Sequence, residues 1–411
     1  MRSFGVFGNG KNQSTSLAEE FRLVGALAMK VLHICNLPLP EDHPDYRRLR
    51  CHPGRWVLNL ALAQKAQTGI QPELLVQMPG ASADFSKEIE GIPVHFLAAP
   101  DRLRSATFFY FDARRVAARV RLLAPDIVHA HGTEDCHLLA AQRSGLPYLL
   151  TAQGLFFLIN ALSPPRRISR EGIVEWTERF ALGRARHVIA KSDYVGEALG
   201  RQFPHLQLHR IPNTFDPRLG KFSLEKESRL LVFIGTPVHR KGLDLLVQAL
   251  LEVEKIFPDV RLWIFGDSPH PQTDYEVRMK ADLTAMMGDR VKFHGTIPAV
   301  EMAEQLAKAT ALIAPSREEM FGNQLIESLL VGTHGVVSEG TALAENVRRF
   351  GNGTVVPQED AGGLARAIIE VLGRTEFPEQ GLARQRVFEQ IGPGVVAKEH
   401  QLLYEKILAE G

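Results

Sequence analysis

Short apolar runs alternate along this chain with longer stretches whose apolar residues return every three or four positions. The runs at 31–35 and 73–77 read as buried strands, and the amphipathic stretch 56–67 between them reads as a helix. Strands at 126–131, 148–151, 187–190 and 208–211 follow, with a helix near 136–143. Pro212-Asn213-Thr214-Phe215-Asp216-Pro217 is turn-rich and separates this half from the next. The alternation then restarts, with strands at 230–234, 261–265, 291–293, 311–314 and 335–337 and helices at 243–253, 274–287, 324–331, 361–372 and 396–409. Strands separated by helices predict parallel sheets, so the fold class is α/β with two Rossmann-like doubly wound domains facing a cleft. The expected organisation is a flexible N-terminal extension over 1–28, domains over 29–217 and 218–390, and a terminal helix over 391–411.

Composition narrows the function classes. A hydrophobic fraction of 45% with 23% charged residues is that of a soluble globular protein. No apolar run approaches the roughly 20 residues needed to span a bilayer, and the N-terminus lacks the order of a secretory signal, so a cytoplasmic protein is expected. Cys35, Cys51 and Cys136 lack metal-ligand spacing and read as reduced structural thiols. Gly5 to Asn12 fits most of a phosphate-binding loop, but Asn12 stands where a magnesium-holding hydroxyl belongs and no strand precedes it, which excludes an ATPase reading. Basic residues outnumber acidic ones 24 to 18 over 29–220, and the balance reverses to 21 against 27 over 221–411. Phe108-Phe109-Tyr110-Phe111, followed by Arg114, Arg115, Arg119 and Arg121, adds aromatics to that basic half. The favoured reading packs these aromatics on the sheet with the arginines in water; the alternative is peripheral contact with an anionic membrane on its inner face. No module suggests nucleic-acid binding.

The candidate chemistry gathers in strand-to-helix loops, which lie at the carboxyl edge of a parallel sheet where ligands bind. Between the strand 311–314 and the helix 324–331 runs Pro315-Ser316-Arg317-Glu318-Glu319-Met320-Phe321-Gly322-Asn323-Gln324. Backbone N–H groups around Phe321, Gly322, Asn323 and Gln324 suit a phosphate, and Glu319 and Glu327 can accept hydrogen bonds from sugar or ribose hydroxyls. Gly235-Thr236-Pro237-Val238-His239-Arg240-Lys241-Gly242 occupies the same edge, with Arg240 and Lys241 able to meet a diphosphate.

These segments resemble the signatures of the retaining glycosyltransferase family 4. Pro315, Ser316, Glu319, Phe321, Gly322 and Glu327 match its E-x7-E element, and the resemblance extends from Met29 to about Leu372. Lys241 matches the family's G-R-x4-K-G element, whose arginine is Thr236 here, with Arg240 as a substitute. Gly54 matches a loop that approaches the donor phosphates. Asp126 to His131 matches a D-x-V-H-x-H strand, and Gln153 replaces the histidine of a T-x-H-G element, so Gln153 and His131 are candidate sugar or acceptor contacts. Gly235, Gly266 and Thr296 fall in loops that embrace the nucleotide. Thr341-Ala342 replaces a glycine pair ahead of Glu345.

The resemblance implies a GT-B architecture whose last helix crosses back to the first domain. It implies a metal-independent, cofactor-free enzyme that moves a sugar, with retained configuration, from a nucleoside diphosphate donor to a hydroxyl of a carbohydrate, lipid-linked saccharide or small-molecule acceptor, in polysaccharide or glycoconjugate biosynthesis. Arg240 and Lys241 would stabilise the leaving diphosphate, Glu319 would orient the sugar, and Glu327 would bind ribose. A sugar-nucleotide epimerase and a non-catalytic nucleotide-sugar-binding protein are the alternatives, the latter supported by Thr236, Gln153 and Thr341-Ala342. A two-carboxylate glycosidase is disfavoured, because Glu319 and Glu327 share one turn-helix unit.

Overall fold

In the computed structural model the apolar runs form two sheets; the structure describes residues 28–39, 54–100, 104–166, 168–222, 225–267 and 273–410. The phosphate-loop-like stretch at 5–12, most of the proposed extension, and Cys51 lie outside the described residues. The first sheet comprises β1 (Lys30–Cys35), β2 (Gln71–Pro79), β3 (Phe85–Ile89), β4 (Ile92–Ala99), β5 (Ile127–His131), β6 (Tyr148–Thr151), β7 (His187–Ala190) and β8 (Gln207–Arg210). Its order is β3-β4-β2-β1-β5-β6-β7-β8, parallel throughout except for β3 against β4. The second comprises β9 (Leu230–Ile234), β10 (Arg261–Phe265), β11 (Val291–Gly295), β12 (Ala311–Ala314), β13 (His334–Ser338) and β14 (Gly353–Val356) in the order β11-β10-β9-β12-β13-β14, all parallel.

Helices cover these sheets, which explains why strands such as β5 and β12 are buried at every position rather than alternating. Strand order reverses between β1 and β5 in one sheet and between β9 and β12 in the other. The crevice at such a reversal, beyond the strands' carboxyl ends, is where an open α/β sheet binds its ligand. The chain therefore places the loops after β5, β9 and β12, which carry the candidate residues, at two switch points.

The terminal helix, Pro393–Glu410, packs along Trp56–Gln67 of the first half, as expected for a helix that crosses back. Val396, Ala397, His400, Leu403, Tyr404 and Ile407 form its buried face. Tyr404 accepts a hydrogen bond from Gln64 Nε2 at 3.0 Å and its hydroxyl lies 2.7 Å from His129 Nδ1. At its far end Glu410 pairs with Arg186 at 2.7 Å.

Two expectations are corrected. Only Phe109 of the four aromatics at 108–111 is buried; Phe108, Tyr110 and Phe111 are exposed. Phe108 and Phe109 adopt left-handed backbone angles just ahead of the helix Tyr110–Leu123, which splits the cluster between core and surface. The sequence reading also lacks the β3–β4 hairpin, a ribbon at the sheet edge.

Candidate functional site

Two loops of the second sheet build the centre of the site. After β9 the chain runs through Gly235 into a single 3-10 turn, His239–Lys241, and then into the helix Leu243–Ile256. After β12 it turns through Glu319 and Gly322 into Asn323–Leu330, whose Leu325, Ile326, Leu329 and Leu330 are buried and fix its orientation. Burying a leucine or isoleucine side chain contributes about 1.5–3 kcal/mol, so these four hold the helix against the sheet. The loops touch as backbones: Gly242 has a φ of 71°, and a Cβ there would stand 2.0 Å from Pro315 O. Arg317, absent from the sequence reading, ties them together. Its guanidinium donates to His239 O at 2.6 Å, to both oxygens of Asp244 at 2.8 Å, and to Glu359 at 2.5 Å and 3.0 Å, while its N–H reaches Arg240 O at 2.8 Å.

This scaffold brings Lys241 and Glu319 into an ion pair, and Gln324 Nε2 donates to the same carboxylate oxygen at 3.0 Å. Burial opposes charge on Glu319, but Lys241 and Arg240 overcome it and hold the carboxyl at about 2. Arg240 also donates to Glu318 O at 3.5 Å. Glu318 itself is buried, with Oε1 lacking a hydrogen-bond partner, and burial raises its carboxyl to about 7. Gly235 leaves room for the Lys241 stem, which a Cβ there would approach to 3.2 Å.

Gly322 has a φ of 82°, and a Cβ there would meet Leu343 Cδ2 at 2.2 Å, so the turn admits glycine alone. Beyond it, Phe321, Asn323, Ile326 and Glu327 line a pocket of about 100 Å³ together with Gly54, Trp56, Asn59, Thr214 and Asp216. Burial, aided by Asp216, raises Glu327 to about 7. Thus Glu327, Phe321, Asn323 and Gly54 share a chamber, whereas Glu319 lies in the ion pair beside it. Gly266 follows β10 and packs against the loop after β9, where a Cβ would stand 2.7 Å from Gly235 O, while Thr296 follows β11 at the sheet edge and is exposed.

A second, much tighter pocket, of about 10 Å³, is lined by His131, Thr151, Gln153, Asn213, Thr214 and His400 among others. His131 Nε2 lies 2.9 Å from His33 Nδ1, whose Nε2 lies 2.9 Å from Gln64 Oε1. Gln64 Oε1 can only accept, so His33 carries its proton on Nε2 and accepts from His131. His131 Nδ1 is then a buried lone pair with no partner. His33, His129 and His131 bring one ring nitrogen each within 4.8 Å of one another, a grouping with the donor set of a metal site. Both nitrogens of His33 and His129 and the Nε2 of His131 are nevertheless engaged with each other or with Gln64, Tyr404 and Thr151, and burial holds all three rings below their usual range.

The halves are clasped together around these cavities. Ser192 Oγ donates to Met320 O at 2.7 Å, Asn213 Nδ2 to Asn323 Oδ1 at 3.3 Å, and the N–H groups of Asp193 and Tyr194 to Glu345 at 2.9 Å and 2.5 Å. Glu345, which follows the replaced glycine pair, thus binds the N-terminus of the helix Asp193–Gln202 in the first half, where a carboxylate suits the helix dipole. Lys191, Asn213 and Asp216 were not singled out as site residues by sequence reasoning. A lysine directly after an apolar strand was the available signal for the first.

Two family profiles match this chain: Glycosyltransferase Family 4 over residues 53–219 and Glycosyl transferases group 1 over 228–374. The chain is 24% identical over 340 residues to the phosphatidylinositol N-acetylglucosaminyltransferase gpi3 subunit of Schizosaccharomyces pombe, covering 78% of this chain and 70% of that protein. Two further curated relatives are spanned over 55% and 63% of their own lengths. Among solved structures, sucrose-phosphate synthase from Thermosynechococcus elongatus superposes with a TM-score of 0.73 at 20% identity, covering 93% of this chain and all of that one. Anabaena Alr3699/HepE, solved with UDP and glucose, does so with 0.69 at 16% identity, covering 92% and 100%. These likenesses are of fold, and the fold is GT-B.

Proposed function

We propose, from the premise that this chain belongs to the group 1 glycosyltransferases of family 4, that it transfers a sugar from a nucleoside diphosphate to an acceptor hydroxyl with retained configuration and without a metal ion. The observation that carries this reading is the Lys241–Glu319 pair at the N-terminus of Asn323–Leu330, beside a chamber lined by Glu327. A diphosphate at that helix end would draw Lys241 to itself, aided by Arg240 and the backbone N–H groups of Gly322, Asn323 and Gln324. Glu319 would then be released to orient the sugar and face the positive charge that grows at the anomeric carbon, with Arg240 and Gln324 still beside it. Glu327 would accept from ribose, with Phe321, Gly54, Gly235, Gly266 and Thr296 enclosing the nucleotide. The departing phosphate would take the acceptor's proton on the same face, which needs no histidine where Gln153 stands; Gln153 and His131 would contact the acceptor or the sugar.

Incubation with a panel of sugar nucleotides, recording thermal shift and release of nucleoside diphosphate with and without chelator, tests the reading. Release that is selective for one donor and indifferent to chelator supports it, provided the anomer formed is retained. An epimerised donor points to an isomerase, and binding without turnover to a non-catalytic protein. Lys241→Ala should lower turnover more than donor binding, and an unaltered rate removes it from the mechanism.

The acceptor side carries a further clue. Phe108, Tyr110, Phe111, Trp176 and Ile168 are exposed on the first half, Trp176 meets Phe108 and Phe180, and Arg143 and Arg184 lie over Tyr110 and Phe180. Aromatics ringed by arginines suit an anionic bilayer carrying a lipid-linked acceptor. No helix among the described residues is long and apolar enough to cross a membrane. Sedimentation with phosphatidylglycerol vesicles, lost in Phe111→Ser/Trp176→Ser and absent with neutral vesicles, is the expected result; equal recovery of variant and parent sets the surface aside.

A further inference from the structure

Lys191 follows β7 at the carboxyl edge of the first sheet and is only 4% exposed. Its ammonium donates to Gln153 O and Gln153 Oε1, both at 2.9 Å. Both acceptors are neutral, and a lysine has three N–H donors, so one donor is left for another group. A buried ammonium is costly unless an anion attends it, and a fold that retains one has an anion to offer it or to receive.

The surroundings locate that anion. Ser192, the next residue, is bonded to Met320 O, which seats Lys191 against the turn of the opposite half. Glu318 and Glu319 of that turn and Glu134 after β5 face it, as does His131, while the Arg210 guanidinium after β8 holds the lysine's own carbonyl. Lys241, the other cation at the turn, is engaged by Glu319. With its oxygen committed to Lys191, Gln153 presents Nε2 to Asn213 Oδ1 at 3.5 Å, and Asn213 Nδ2 in turn reaches Asn323, the first residue of the helix. Hydrogen-bond donation thus runs in one direction, from Lys191 across the cleft to the helix N-terminus.

We infer that Lys191 is the cation through which the first half grips the diphosphate of a bound sugar nucleotide, supplying from across the cleft the charge that Thr236 lacks. The inference rests on the transferase reading above. An anion at the start of Asn323–Leu330 meets Lys241 from its own sheet and Lys191 from the other, so the two halves close on the donor rather than on each other. Burial brings Lys191 down to about 8 in the empty protein against the pull of Glu319, Glu134 and Glu318, so the ammonium that receives the diphosphate is present below that pH and donor affinity falls above it.

The test compares wild type, Lys191→Gln and Lys191→Gln/Thr236→Arg, with Lys191→Met as a second removal that keeps the apolar stem. Calorimetry measures affinity for UDP, GDP and ADP and for the matching monophosphates, and nucleoside diphosphate release is followed from pH 6 to 9.5. Either removal should weaken diphosphate binding by roughly 10- to 100-fold, the scale of one charge-assisted contact, with a smaller loss for monophosphates. The alkaline limb near pH 8 should vanish, and Thr236→Arg should recover part of the affinity. Equal losses for mono- and diphosphates, or a limb that persists in both removals, overturn the assignment and leave Lys191 a prop for Gln153. Should wild type bind a diphosphate yet never release one from a sugar nucleotide, the transfer reading falls, while the affinity series still decides for Lys191. Should it bind none, both fall.

Discussion

Glu319 and Glu327 show how one turn-helix unit gives two carboxyls opposite characters. Glu319 is depressed to about 2 and Glu327 is raised to about 7. A depressed carboxyl contributes stability that is present above its unfolded value and is lost as pH falls through the folded one; a raised carboxyl has the opposite sign. Glu327 therefore costs the empty protein stability as pH rises from about 4.5, the ordinary value of a glutamate, through about 7. Glu327→Gln should flatten the dependence of Tm on pH between 5 and 8 and raise Tm at pH 8, while nucleotide affinity falls by about 1–3 kcal/mol through the weakened ribose contact. A variant whose affinity is unchanged at pH 7, with melting as in the parent, would deny Glu327 both roles. The spacing of the pair was readable in the sequence, but their divergence was not, because it depends on Lys241, 78 positions from Glu319, and on Asp216, from the linking segment.

At the scale of elements, legibility followed burial. β9 and β12 were plain because strands covered on both faces carry unbroken apolar runs. β3 was not, since Phe-Ser-Lys-Glu-Ile is largely exposed on a sheet edge and lacks that signal. The helix Arg170–Leu182 escaped for a related reason: it buries Val174, Ala181 and Leu182 but also Thr177 and Glu178, which blurs its apolar stripe. Glu178 sits inside because it accepts from the N–H groups of Phe156 and Phe157 at 3.0 Å. The join between the two site loops was half legible: Gly242 and Pro315 both stood in the motifs, but the close approach of their backbones did not. Gly242→Ala should destabilise the fold by about 1–3 kcal/mol, since backbone must shift to admit the methyl group, and should reduce donor turnover in the surviving folded fraction. Denaturant unfolding together with single-turnover release measures both; a variant with parental stability removes the close approach as a constraint.

Among the contacts that hold the halves together, Glu345 supplies a directional set, accepting from the N–H groups of Asp193 and Tyr194 and pairing with Arg210. Glu345→Ala should open the cleft, seen as a larger radius of gyration in solution scattering without donor, and should raise KM more than it lowers kcat, because closure then draws on donor binding. Identical scattering curves would show that other contacts suffice. The crossing helix has a different consequence, for the making of the protein. Gln64 finds Tyr404 across 340 positions and His129 finds it across 275. On a ribosome the first sheet must emerge, and wait through the synthesis of the entire second half, with a polar histidine cluster and the apolar face of Trp56–Gln67 bare. Domains ordinarily fold as they are made, but this first half takes one wall from a helix synthesised after the second half, so its nascent form should bind chaperones until that helix docks.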